Sequence, residues 1–168
     1  MTPVTTPAEL AAFCPPLGWQ ADIIGAPYDF KGFTRDALSC WGFCCLAWRE
    51  QADVILPTFQ ADLPADPEFS TSRVRAVNAV IAEGVELMEN IPQPRPMCFV
   101  QMRRGKFLTH IGLYAFGGWV VHADEDANGG TGAVVQEPIA NLARCITGYF
   151  WPSDALLTGP ASKARAAA

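Results

Sequence analysis

Basic charge, histidine and long apolar runs are all scarce in this chain, and each scarcity removes a class of function. Twelve Lys and Arg stand against seventeen Asp and Glu, giving a net charge of −5 and a pI near 4.9. The one local basic group is Arg103, Arg104 and Lys106, so there is no footprint to neutralise a run of phosphates, and nucleic acid is not an expected partner. The longest apolar run, Ala37 to Trp48, is interrupted by Ser39 and falls well short of the ~20 residues that cross a bilayer, so no membrane insertion is expected. The opening "MTPVTTPAELAAF" lacks a basic segment leading into an apolar core, so synthesis and folding in a reducing cytosol are expected. Six cysteines are too sparse for a disulfide scaffold and should be free thiols there.

What is present is a chain with a large core. Half of its 168 residues are hydrophobic, enough for one globular domain with little disorder. Residues 1–21 form a Pro-rich, irregular N-terminal extension, and "IIGAPYDFKG" (23–32) reads as a loop before a buried helix starting near Ala37. Leu56 to Phe69 reads as another loop. It leads into a helix with Val74, Val77, Ile81, Val85 and Met88 on one stripe and Ser70, Thr71 or Ser72 as its cap. After "PQPRP" the period changes to that of strands: Met97–Met102, Thr109–Phe116, Trp119–Ala123, Ala133–Glu137 and Cys145–Trp151. Helices first and about five antiparallel strands afterwards predict an α+β domain, with 153–168 as a frayed tail.

Three of the six cysteines, Cys40, Cys44 and Cys45, sit together in "DALSCWGFCCLAW". Cys40 starts the helix, where unpaired amides and the helix dipole favour an anion and should lower a thiol pKa from ~8.5 toward neutrality. The two histidines, His110 and His122, share the hairpin "THIGLYAFGGWVVHA". A two-residue turn at Gly117-Gly118 would send them to opposite faces. A three-residue loop, 116–118, puts His122 opposite Gly112 and both imidazoles on one face, ~7–8 Å apart on the diagonal, with open space above Gly112. A helix-start thiol, a histidine to hold its proton and a polar group to orient that histidine suit a cysteine peptidase or acyltransferase. A Cys/His metal site is the weaker reading, because these cysteines do not form C-x₂-C knuckles. Cys14, Cys98 and Cys145 read as buried small hydrophobes, Trp41, Trp48, Trp119 and Trp151 as core or groove wall, and Asp124–Asp126 as a solvated loop.

These blocks, in this order, resemble the NlpC/P60 cysteine peptidases of cell-wall peptides. "GAPYDFKG" is similar to the family's "GxPYxxGG", "SCWGF" to "DCSGF" or the "DCWGL" of phage tail-assembly peptidases, and "HIGLYAFGGWVVHA" to "HVGIY", a glycine turn and "HA". The resemblance implies a papain-like fold with Cys40 as nucleophile, His110 as general base and then acid, and His122 as the orienting group. It covers residues 22–152, with 57–96 as an insertion, and implies Tyr28, Trp41 and backbone amides near Cys40 as substrate and oxyanion contacts, and neither a cofactor nor a metal. It further implies a peptidoglycan stem peptide as substrate, cut between D-glutamate and a diamino acid. An enzyme of the wall made in the cytosol suggests delivery by a phage or gene-transfer-agent tail tip, with baseplate hub proteins as partners. A structural tail component with dispensable hydrolysis is the alternative, since Ser39 replaces the family's aspartate, "PRPM" (94–97) replaces its "PGD" turn, and the insertion is long.

Overall fold

A computed structural model describes residues 3–59, 71–104 and 108–155. The elements run α1 (Pro7–Ala12), β1 (Phe33–Thr34), β2 (Ala37–Leu38), α2 (Cys40–Ala52), α3 (Thr71–Glu86), β3 (Met88–Ile91), β4 (Phe99–Arg104), β5 (Leu108–Ala115), β6 (Trp119–Asp124), α4 (Ala127–Gly130), β7 (Ala133–Pro138), α5 (Ile139–Leu142) and β8 (Ile146–Pro152). Among the described residues the main sheet has six strands in the order β3-β8-β4-β5-β6-β7, every neighbouring pair antiparallel, and β1 and β2 form a separate ribbon. The α+β expectation holds, with six strands in place of about five.

The additional strand is β3. Its residues extend the apolar period of α3, yet the helix ends at Glu86 and Met88 pairs with Pro152 at the edge of the sheet. A stripe position on a helix and a half-buried position on an edge strand both call for an apolar side chain, so Met88 is ambiguous without its partner strand.

α2 is buried along nearly its whole length, including Phe43, Cys44 and Trp48, and packs on β5 and β6. Trp48 stacks on Phe99 at 5.9 Å and meets Trp151 edge-on at 5.3 Å, joining helix to sheet. The N-terminal segment is not irregular throughout. Thr6 and Glu9 form a capping box around α1, Val4 and Leu10 are buried, and Arg95 donates to the carbonyls of Ala11 and Phe13 while lying 3.8 Å over the Trp151 ring. The loop reading of 60–69, the cap at Ser70 and the tail beyond 155 lie outside the described residues.

Two backbone features set up the site. The loop at Gly25–Tyr28 runs along the free edge of β7, with Gly25 N–H on Val134 O and Val134 N–H on Ala26 O, both at 2.8 Å. In the β5–β6 hairpin Ala115 pairs with Trp119, so the loop is the three-residue one, and Gly117 and Gly118 both have positive φ, 76° and 81°. That register places the histidines on one face, as the longer loop requires.

Candidate active site

α2 begins at Cys40 with Ser39 as its N-cap, three residues later than the apolar run suggests, because Ala37 and Leu38 pair with Thr34 and Phe33 in the β1–β2 ribbon. The Ser39 hydroxyl accepts from Gly42 N–H at 3.0 Å and donates to Gly32 O at 3.1 Å. An aspartate could make the first bond but not the second, so serine at this position keeps the cap and adds a tie to the preceding loop. That loop lies so close that a Cβ on Gly42 would collide with the Gly32 carbonyl. The close approach seats Cys40 in the wall of a cleft.

Cys40 is 9% exposed, and backbone amides of Ile111, Trp41 and Cys40 itself bond to its sulfur. The β5–β6 ladder ends at the Leu113–Val121 pair, which leaves Ile111 beside the sulfur where the strands part. Burial nevertheless dominates and pushes the thiol up to about 11. The helix start alone does not produce a thiolate, contrary to the sequence expectation, because loss of hydration outweighs three amide dipoles. Cys44 and Cys45, deeper in the core, are pushed up by burial as well.

His110 and His122 meet in an edge-on pair, Nε2 of His110 lying 3.0 Å from Nδ1 of His122, with ring centroids 4.9 Å apart at 86°. His110 is 6% exposed and His122 fully buried. Gly112 does not open space for a ligand, as its sequence context suggests. A Cβ there would lie 2.6 Å from Val121 O and 2.8 Å from His122 Cβ, so the missing side chain makes room for His122 itself. Burial lowers the pKa of both imidazoles, that of His110 well below its usual value and that of His122 to about 4. Both rings are therefore neutral near pH 7, and the one bond between them makes one ring donor and the other acceptor.

Cys40 and His110 line one cleft of about 670 Å³, counted with its open mouth. Tyr28 and Phe30 line it as well, as do Val77 and Ile81 of α3. Trp41 lines it too, but its indole N–H donates to Pro57 O at 2.9 Å and its ring stacks on Phe99 at 6.0 Å. The indole is thus a wall, and only the Trp41 backbone amide reaches the sulfur. At the cleft's charged end Arg104 forks onto both carboxylate oxygens of Asp124 and also reaches Asp126 at 3.3 Å.

This thiol and imidazole pair occur in a segment with a sequence-level family match: the model described as "NlpC/P60 family" matches residues 25–141. The chain belongs to the NlpC/P60 family. Among solved structures, the crystal structure of the NlpC/p60 domain of peptidoglycan hydrolase SagA aligns over 88% of this chain and 98% of that one, at 15% identity and a TM-score of 0.47. No curated protein sequence matches.

In this NlpC/P60 domain Asp124 is not part of a solvated loop. It is 6% exposed, and although burial alone would raise its pKa, the Arg104 hydrogen bond, the Asp126 amide and the Arg104 charge hold it below the usual range. Sequence reasoning missed this pair, and it missed Glu137, whose Oε1 lies 3.8 Å from the buried Nε2 of His122. The available signal was the period of two: Asp124 follows His122 on the same face, and Glu137 lies one diagonal away across β6–β7. His122, Asp124 and Glu137 are the described residues close enough to share a metal ion. Arg104 already occupies both Asp124 oxygens, so the donor set left for a cation is one imidazole and one carboxylate. Of the other cysteines only Cys98 is a buried small hydrophobe, since Cys14 is exposed and Cys145 half-buried, and Trp119 is exposed as well.

Proposed function

We propose that this protein is a cysteine endopeptidase that cuts peptidoglycan stem peptides, at the bond between D-glutamate and the diamino acid, through a thioacyl intermediate on Cys40. The observation that carries this reading is the convergence, in one cleft, of a helix-start thiol and a buried imidazole pair. Cys40 Sγ attacks the scissile carbonyl while its proton passes to His110. With both groups neutral at rest, transfer accompanies attack, as in general-base catalysis rather than a preformed ion pair. The amides at the start of α2 and Tyr28 on the cleft wall bear on the oxyanion. His110 then gives the proton to the leaving amine. Water, deprotonated by His110, opens the thioester to release the acid and restore the thiol.

Delivery by a phage-like tail tip or baseplate is part of the same proposal and is supported by the Cys40-Trp41-Gly42 form of the nucleophile motif. The alternative, a tail component with dispensable hydrolysis, loses one of its motives because Ser39 is a competent cap. Mass spectrometry of peptidoglycan incubated with the protein, beside Cys40→Ala, tests the chemistry. New fragments with wild type alone are expected, and equal release by the folded variant would refute it. Tail placement is tested separately by proteomics of purified particles from a producing strain, and absence of the chain there would refute it.

A further inference from the structure

We propose that Glu137 is a positioning residue, the outer end of a chain Cys40–His110–His122–Glu137, and that it selects the imidazole tautomers in which His110 can accept a proton. This rests on the roles proposed above for Cys40 and His110. The starting observation is an unanswered nitrogen. Nε2 of His122 is fully buried and has no hydrogen-bond partner among the described residues, a condition that disfavours the fold for as long as it persists.

Two carboxylates lie near this nitrogen. Asp124 is occupied, with both oxygens on Arg104 and one also taking the Asp126 amide at 3.0 Å. Glu137 is the other, at 3.8 Å, with a side chain 36% exposed on the strand beside β6. A side-chain rotation that closes about 0.9 Å reaches ordinary hydrogen-bond length. A carboxylate accepts only, so this contact requires the proton of His122 to sit on Nε2. Nδ1 of His122 is then a lone pair and must accept from Nε2–H of His110 across the 3.0 Å bond. Nδ1 of His110 is left as the basic nitrogen. If His122 instead carries its proton on Nδ1, every step reverses: His110 accepts at Nε2, carries its proton on Nδ1, and has no lone pair to offer the thiol. The buried pair has only these two neutral arrangements, and nothing within the pair itself distinguishes them. Glu137 breaks the tie from outside.

Long-range ¹H–¹⁵N spectra of the histidine-labelled full chain at pH 7 read the tautomers directly. Alkylation of Cys40 by iodoacetamide, followed by mass spectrometry of its peptide, reads the base. Neither readout uses peptidoglycan, so a protein that cuts another bond still reports on Glu137. Wild type is expected to show both rings as Nε2–H. Glu137→Ala should populate the Nδ1–H form of both rings together and slow Cys40 alkylation about tenfold, the lower end for outer partners of a functional imidazole. Glu137→Gln keeps an acceptor oxygen and should restore both readouts. Retention of Nε2–H rings and wild-type alkylation in Glu137→Ala overturns the proposal, as does a wild type whose rings are Nδ1–H. Should Glu137→Ala fail to fold, Glu137→Leu keeps the bulk without an acceptor and carries the same expectations.

Discussion

Acid should unfold this protein through its two histidines before its carboxylates are protonated. His122 is lowered by burial from the usual 6.5 to about 4, and His110 is lowered well below 6.5 for the same reason, with the neighbouring ring and Arg104 adding to it. A folded value below the unfolded one means that the unfolded chain takes up the proton first. The stabilisation is complete above about pH 6.5 and is lost as the pH falls toward 4. For His122 the loss is about 3 kcal/mol at 1.36 kcal/mol per unit, and His110 adds to it with the same sign. Against a typical domain stability of about 5–15 kcal/mol, that is a large fraction. The Asp124 carboxylate, held low by Arg104, loses its contribution only below this window. Urea unfolding at pH 7, 6, 5 and 4.5 should show midpoints falling at nearly constant slope against denaturant. His122→Gln, with one titrating ring fewer, should show a weaker dependence. A wild-type midpoint constant from pH 6.5 to 4.5, or an undiminished dependence in His122→Gln, would refute the reading that both rings are buried as neutral groups.

Three substitutions probe the scaffold. Ser39→Ala removes the cap to Gly42 and the tie to Gly32, and should cost about 1–2 kcal/mol in thermal or urea unfolding. Met97 occupies the left-handed region at φ 69°, where glycine would be at ease, but it is fully buried. Met97→Gly should destabilise, since losing the side chain costs about 2–5 kcal/mol and relief of backbone strain returns only about 1–3; a stabilised variant would reverse that ranking. Arg104→Ala leaves Asp124 buried without its partner and should cost about 3 kcal/mol in urea unfolding, while Arg104→Ala combined with Asp124→Ala should recover most of it.

The α+β order, the buried helix and the glycine hairpin were legible in the sequence, because each depends on local rules; the choice between a two- and a three-residue loop was not, and strand register made it. An apolar run marks a buried helix, alternation marks strands, and paired glycines supply positive φ at 117 and 118. The same rules placed Cys40 at a helix start and allowed His110 and His122 to share a face, which the observed register makes them do. They did not determine the state of those groups. A thiol at a helix start is lowered by the dipole and raised by burial, and only packing against β5 decides that burial wins, at about 11. The space over Gly112 was equally undecided, since a missing Cβ serves a ligand or a neighbour, and the turn of β6 gives it to His122. Met88 left α3 for the edge of the sheet because β8, sixty residues on, offered it a partner. Arg104, from another strand, took up the Asp124 carboxylate, and the pairing of β6 with β7 set Glu137 3.8 Å from Nε2 of His122. Sequence alone thus determined which chemical groups this protein carries and which elements hold them. Tertiary structure decided their charge and their partners, because those depend on solvent exclusion and on neighbours that no local period can name.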